Sequence, residues 1–116
     1  MKKILFMITK APYGTSSAGE GFRAAIALAG MDLDVTILLI EDGVFAALKG
    51  QKAETIGMKQ LLEAIESAKE YGAKVLVHSE SLKRRGITQS EITDVQMIDT
   101  QSLADLLQNF ESTLRF

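Results

Sequence analysis

Three runs of apolar residues in this chain are continuous or nearly so instead of alternating: Ile4–Ile8 (ILFMI), Val35–Ile40 (VTILLI) and, behind Lys74, Val75–Val77. A strand buried on both faces has this pattern, and it predicts a parallel sheet with helices on either side. Between the runs the period lengthens to that of a helix. Phe22, Ile26 and Ala29 fall on one face, with Ser17 and Glu20 spaced as a capping box at the start and Gly30 at the end. Met58, Leu61, Leu62, Ile65 and Ala68 form a second stripe, backed by Lys59, Glu63, Glu66, Lys69 and Glu70, with Gly72 placed to close the helix.

The connections are less regular. Lys10–Ser16 (KAPYGTS) is a turn, since Pro12 pushes Ala11 out of the helical region and Gly14 permits a bend. Asp42 can cap a short helix over Gly43–Leu48, closed at Gly50, and Gln51–Ile56 is a polar surface loop. After the third strand, Lys74–Val77, come the polar residues His78–Ser81, then one or two helical turns over Leu82–Arg85, stopped by Gly86. The chain is polar through Asp94. Val95–Ile98 is a weak fourth strand, and Asp99 or Thr100 can cap a last helix with the stripe Leu103, Leu106, Leu107 and Phe110. Leu114–Phe116 adds a short fifth strand. The predicted architecture is a three-layer α/β/α domain over residues 1–116, with a mostly parallel sheet of four to five strands.

Composition narrows the chemistry. With 13 Lys+Arg against 15 Asp+Glu, the net charge of −2 gives no electrostatic warrant for binding nucleic acid or an anionic membrane. The chain has no cysteine, so disulfides, thiolate metal sites and thiol nucleophiles are all excluded. Its one histidine has no companion His or Cys for a metal site, and neither a P-loop nor G-x-G-x-x-G is present, so no metal and no nucleotide cofactor is expected. The start, MKKILFMITK, is too short in apolar residues for a signal peptide and lacks an A-x-A site before Pro12; a soluble, cytoplasmic protein is expected.

In an open α/β sheet the carboxyl ends of the strands share one rim, and loops there converge. Two loops are candidates. The first offers Lys10, Tyr13, Thr15 and Ser16 beside a helix N-terminus, either as a small-anion site or only as turn and cap. The second holds His78, Ser79, Ser81, Arg84 and Arg85. At a helix N-terminus His78 is disfavoured as imidazolium; the neutral ring could serve as base or ligand, or only as a hydrogen-bonded turn residue. Glu80 is the carboxylate nearest to it in sequence. Lys83, Arg84 and Arg85 either draw an anionic partner or offset the C-terminal end of their own helix.

Three stretches in order, APYGTSSAGEGFRAAIALA (Ala11–Ala29), EDGVFAALKGQK (Glu41–Lys52) and VLVHSESLKRRGI (Val75–Ile87), resemble the DsrE/DsrF-like proteins, which include the sulfur-relay Tus subunits and YchN-type proteins. The resemblance runs over nearly the whole chain. It implies a parallel α/β/α sheet, assembly into trimers or hexamers with itself or with paralogous subunits, and a role in passing sulfane sulfur between proteins. Members that carry sulfur have a cysteine eight residues before the glycine of a segment like RRG; that position is His78 here, and the second cysteine of YchN-type members falls on Ser81. A persulfide needs a thiolate, so the carrier step is excluded while the scaffold is retained. The expected function is therefore a non-carrier oligomeric scaffold or binding subunit. The alternative is a small enzyme or anion-binding protein that uses His78.

Overall fold

The structure, a computed structural model, describes residues 2–12, 16–49 and 58–116. Five strands form one sheet: β1 (Lys3–Ile8), β2 (Asp34–Leu39), β3 (Lys74–His78), β4 (Gln96–Ile98) and β5 (Ser112–Arg115). Their order is β4-β3-β2-β1-β5, and every pair is parallel. Helices α1 (Ser17–Ala29), α2 (Met58–Glu70), α3 (Ser79–Arg84) and α4 (Thr100–Leu107) connect them, with 3₁₀ helices at Glu41–Ala47 and Gln89–Glu91.

The strand order accounts for the layering. From β1 to β4 the chain steps across the sheet in one direction, and right-handed crossovers then put every connecting helix on the same face. From β4 it returns across the sheet to β5, and the same handedness puts α4 on the opposite face. The core divides accordingly. Phe6, Ile8, Ile37, Leu39 and Val77 pack with Phe22, Ala25, Ile65, Ala68 and Leu82 on one side. Leu5, Leu38 and Leu76 pack with Leu103 on the other, with Met7, Ile98, Leu106 and Phe110 around them. Each fully buried Leu, Ile or Phe contributes roughly 1.5–3 kcal/mol, so the face under α1 and α2 dominates stability.

Two close approaches fix the rim and the sheet's edge. A Cβ on Gly43 would sit 1.8 Å from the Ile8 carbonyl oxygen, so only glycine lets the 3₁₀ helix lie against the end of β1. At the other side of β1, Phe116 N–H donates to the Met7 carbonyl at 2.8 Å, while the N–H and hydroxyl of Thr9 both donate to the Phe116 carbonyl at 2.7 and 2.6 Å. The Phe116 ring stacks on Phe6 with centroids 6.0 Å apart, an arrangement worth about 0.5–1.5 kcal/mol beyond area burial.

Several local expectations are corrected. The N-cap of α1 is Ser16, one residue before the predicted start; its hydroxyl bonds Glu20 Oε1 at 3.0 Å in place of a backbone cap. Gly30 does end α1 as expected, as its C-cap, but stays right-handed, and the turn reverses at Asp32, φ +64°. Helix α3 begins at Ser79, so the polar residues after β3 are its first turn and His78 is its N-cap. Asp42 lies inside the 3₁₀ helix, whose N-cap is Ile40, because its carboxylate is held by Arg85. The stretch after Gly86 holds a further 3₁₀ turn, closed by a Thr88–Glu91 capping box. β5 starts at Ser112, two residues earlier than expected, since its register follows Ile4–Met7. Gly50 and the 51–56 loop fall outside the described residues.

Candidate functional site

Adjacent strands β3 and β4 send their connections to opposite faces: α3 packs with the α1 side through Leu82, and α4 with the other through Leu103. A topological switch of this kind opens a crevice at the carboxyl ends of the strands, where α/β proteins place their sites. His78, the last residue of β3, lies there. It pairs with Ile98 across the ladder, and Thr100 follows two residues on as the first residue of α4.

The ring of His78 is 6 % exposed and both nitrogens are engaged. Nδ1 lies 2.7 Å from Ser81 Oγ, and Nε2 lies 2.8 Å from Thr100 Oγ1. Ser81, 2 % exposed, also accepts the backbone N–H of Glu41 at 3.0 Å. Glu80 closes the cluster. It accepts the Ser79 hydroxyl and the Thr100 backbone N–H, the latter at 2.8 Å, and its Oε2 is 3.9 Å from His78 Nε2. Hydrogen bonds from the Ser79 hydroxyl, then from the Thr100 hydroxyl and N–H, hold the Glu80 carboxyl down from 4.5 to about 2; the nearby imidazole adds a smaller lowering and desolvation opposes them.

One assignment of donors satisfies all of these contacts together. With Thr100 Oγ–H given to Glu80, the threonine oxygen accepts from Nε2–H of His78. In the neutral ring Nδ1 is then bare and accepts the Ser81 hydroxyl. The chain runs Glu41 N–H, Ser81, His78, Thr100, Glu80, each donating to the next. It ties the 3₁₀ helix, the β3–α3 junction and the start of α4 together. Its His78–Ser81 half is buried and its Thr100–Glu80 half reaches solvent; the buried, fully paired half is the part that rigidifies what it joins.

The other predicted residues are placed as follows. Arg85 is not free: Nε and Nη2 both reach Asp42 Oδ1 at 2.9 Å, and Nη1 donates to the Ser81 carbonyl at 3.1 Å. Arg84 and Lys10 are exposed, and Ser16 is exposed beyond its bond to Glu20. Tyr13 and Thr15 lie outside the described residues. Thr100 and the Glu41 N–H were missed as site members. Thr100 is 22 residues from His78, and only the β3–β4 register brings them together. Glu80, the carboxylate nearest to His78 in sequence, joins the cluster by accepting from Ser79 and from the Thr100 N–H. Among the described residues no group of three or more His, Cys, Asp or Glu could hold a metal ion.

A five-stranded parallel sheet in this order, with a polar cluster at its β3/β4 switch, has a recognisable class. Residues 2–116 match the model of the DsrE/DsrF-like family, and the chain belongs to it. Among its relatives, it is 32 % identical to the intracellular sulfur oxidation protein DsrF of Allochromatium vinosum, over 88 % of this chain and 76 % of that one. It is 29 % identical to Protein TusC of Escherichia coli over the full length of both. In structure it resembles the ychN protein of E. coli, with a TM-score of 0.81, 31 % identity and full coverage of both chains. A protein of unknown function from Methanobacterium thermoautotrophicum shares the fold at a TM-score of 0.73 and 10 % identity. Among the described residues no helix is long and apolar enough to cross a membrane.

Proposed function

We propose that this chain is a non-carrier subunit of a sulfur-transfer assembly, in which a cysteine-bearing DsrE/DsrF-like partner holds the mobile sulfur. One observation carries this reading: the position that resembles the family's carrier cysteine is His78, a buried ring with both nitrogens bonded to hydroxyls in a chain with no thiol. Persulfide transfer forms a sulfur–sulfur bond on a thiolate, and neither imidazole nor hydroxyl can make that bond. A ring whose lone pair and N–H are both committed is also poorly placed to take a substrate proton. What His78 does instead is fasten α3, α4 and the 3₁₀ helix at the rim where a carrier loop would otherwise be presented. Family membership and the relative in sulfur oxidation support the setting; the absence of cysteine supports the role.

The test has two readouts. After incubation with a persulfide donor, intact-mass analysis of the purified chain should show no covalently added sulfur; a sulfur adduct on this chain overturns the non-carrier role. Co-expressed with a cysteine-bearing family member, the chain should elute in an assembly of trimeric or hexameric mass by light scattering. A strict monomer at micromolar concentration, alone and with that partner, removes the assembly role.

A further inference from the structure

Parallel strands in register line up the residues of one face in rows. On the face under α4, Lys3 pairs with Asp34, and Leu5, Thr36 and Lys74 form the next row. These are the first or third residues of their strands, at the end of the sheet away from His78. Between them and the last turn of α4 lies a hollow of about 170 Å³. Its floor and back wall are apolar, with Leu76 below and Phe110 at the side, and Lys3, Asp34 and Lys74 stand around it.

The polar groups here are arranged unlike those at the rim. Thr36 is 4 % exposed and lines the hollow; among the described residues its hydroxyl has no protein partner, and since no buried side-chain polar atom there goes unpaired, that hydroxyl opens to the hollow. Among the described residues no ion pair joins Asp34 to Lys3 or Lys74, although Lys3 is its direct neighbour in the ladder. Lys3 and Lys74 are exposed and Asp34 is half-buried, so their ion pairs with one another would be worth little against water, and the three charges stay available to a ligand. Here both signs of charge and a solvent-contacting hydroxyl face one small space.

We infer that this hollow binds a small zwitterion with an apolar body, an α-amino acid of leucine or methionine size. Its carboxylate meets the lysines and the Thr36 hydroxyl, its ammonium meets Asp34, and its side chain covers Leu76 and Phe110. The size fits. An apolar cavity of about 150 Å³ holds a benzene ring, whereas drug-sized ligands need roughly 300–1,000 Å³. A simple anion would leave Asp34 as a repelling neighbour, and a simple amine would face two lysines. Only a ligand that carries both charges uses the whole mouth.

The experiment is an amide-shift titration of the ¹⁵N-labelled full chain with L-leucine and L-methionine, beside 4-methylpentanoate, which lacks the ammonium, and 3-methylbutylamine, which lacks the carboxylate. Saturable shifts centred on Asp34, Thr36 and Leu76 are expected, with each half-analogue weaker by about tenfold or more, the scale of one lost charge-assisted contact. K74Q and D34N, both exposed or half-buried changes, should weaken the amino acid by a similar factor while amide dispersion stays native. No saturable shift at millimolar amino acid overturns the inference. So does equal binding of either half-analogue, or unchanged affinity in both variants. None of these results bears on persulfide chemistry, so the proposed subunit role stands or falls separately.

Discussion

The two ends of the face beneath α4 treat polar groups in opposite ways. At the β3/β4 switch, His78, Ser81, Thr100 and Glu80 are satisfied by one another, each distance under 3.0 Å except the 3.9 Å approach of Glu80 to the ring. Near the strand starts, Thr36 has no protein partner for its hydroxyl among the described residues, and that hydroxyl opens to the hollow instead. The first arrangement is what a structural joint requires. The second is what a place for something else requires. The difference teaches that the position where the family's chemistry would be expected is here the closed end, and the opposite edge is the open one.

The comparison can be broken from the rim first. G43A should have the largest effect, because its Cβ meets a backbone carbonyl that cannot rotate away. A loss on the order of 3 kcal/mol or more is expected, read as a fall in the urea midpoint; a near-neutral result would show that the 3₁₀ helix does not hold the rim. H78A comes next. It leaves the Ser81 and Thr100 hydroxyls without their shared partner and opens a cavity, at a cost of about 2–4 kcal/mol. A double-mutant cycle of H78A with T100V should show coupling, since the two side chains are in contact. Additive losses would mean that the 2.8 Å contact contributes nothing.

Acid titration probes the same joint more gently. The Glu80 carboxyl is held below its ordinary value, so its contribution to stability is complete above pH 4.5 and is lost as pH falls from there toward about 2. Urea midpoints measured across that window should fall less steeply for E80Q than for the parent chain. Parallel curves would assign the acid sensitivity to other carboxylates. The smallest effect belongs to the hollow. T36V removes a hydroxyl with no partner to lose, so stability should change by less than about 0.5 kcal/mol or rise slightly. A loss comparable to that of H78A would erase the contrast between the two ends.

Much of the fold was legible because the continuous runs at Ile4–Ile8, Val35–Ile40 and Val75–Val77 admit few readings, and the stripes at Phe22–Ala29 and Leu61–Ala68 separate them at βαβ spacing. His78 was legible as a candidate because it is the only histidine and follows a buried strand directly. Its partners were not. Thr100 read only as a cap, and nothing local records that β3 and β4 are neighbours with connections on opposite faces. The Thr88–Glu91 turn carries the same capping-box spacing used to start α1, but too few apolar residues surround it to mark an element. The hollow was invisible because Lys3, Asp34 and Lys74 each look like a charge at a solvated strand end; only the register of three strands puts them around one space.

Helix α4 has eight residues and is therefore about 12 Å long, little more than two turns. It is tied at Thr100, seated on Leu5, Leu38 and Leu76 through Leu103, and borders the hollow at its last turn, so it behaves as a short stiff beam. Along such a length, a tilt of only about 5° displaces one end by about 1 Å relative to the other, comparable to the clearance that separates a snug fit from a loose one. A replacement at position 78 would thus be felt at Phe110, at the opposite end of the strands, through a tilt of α4 rather than a rearrangement of the sheet.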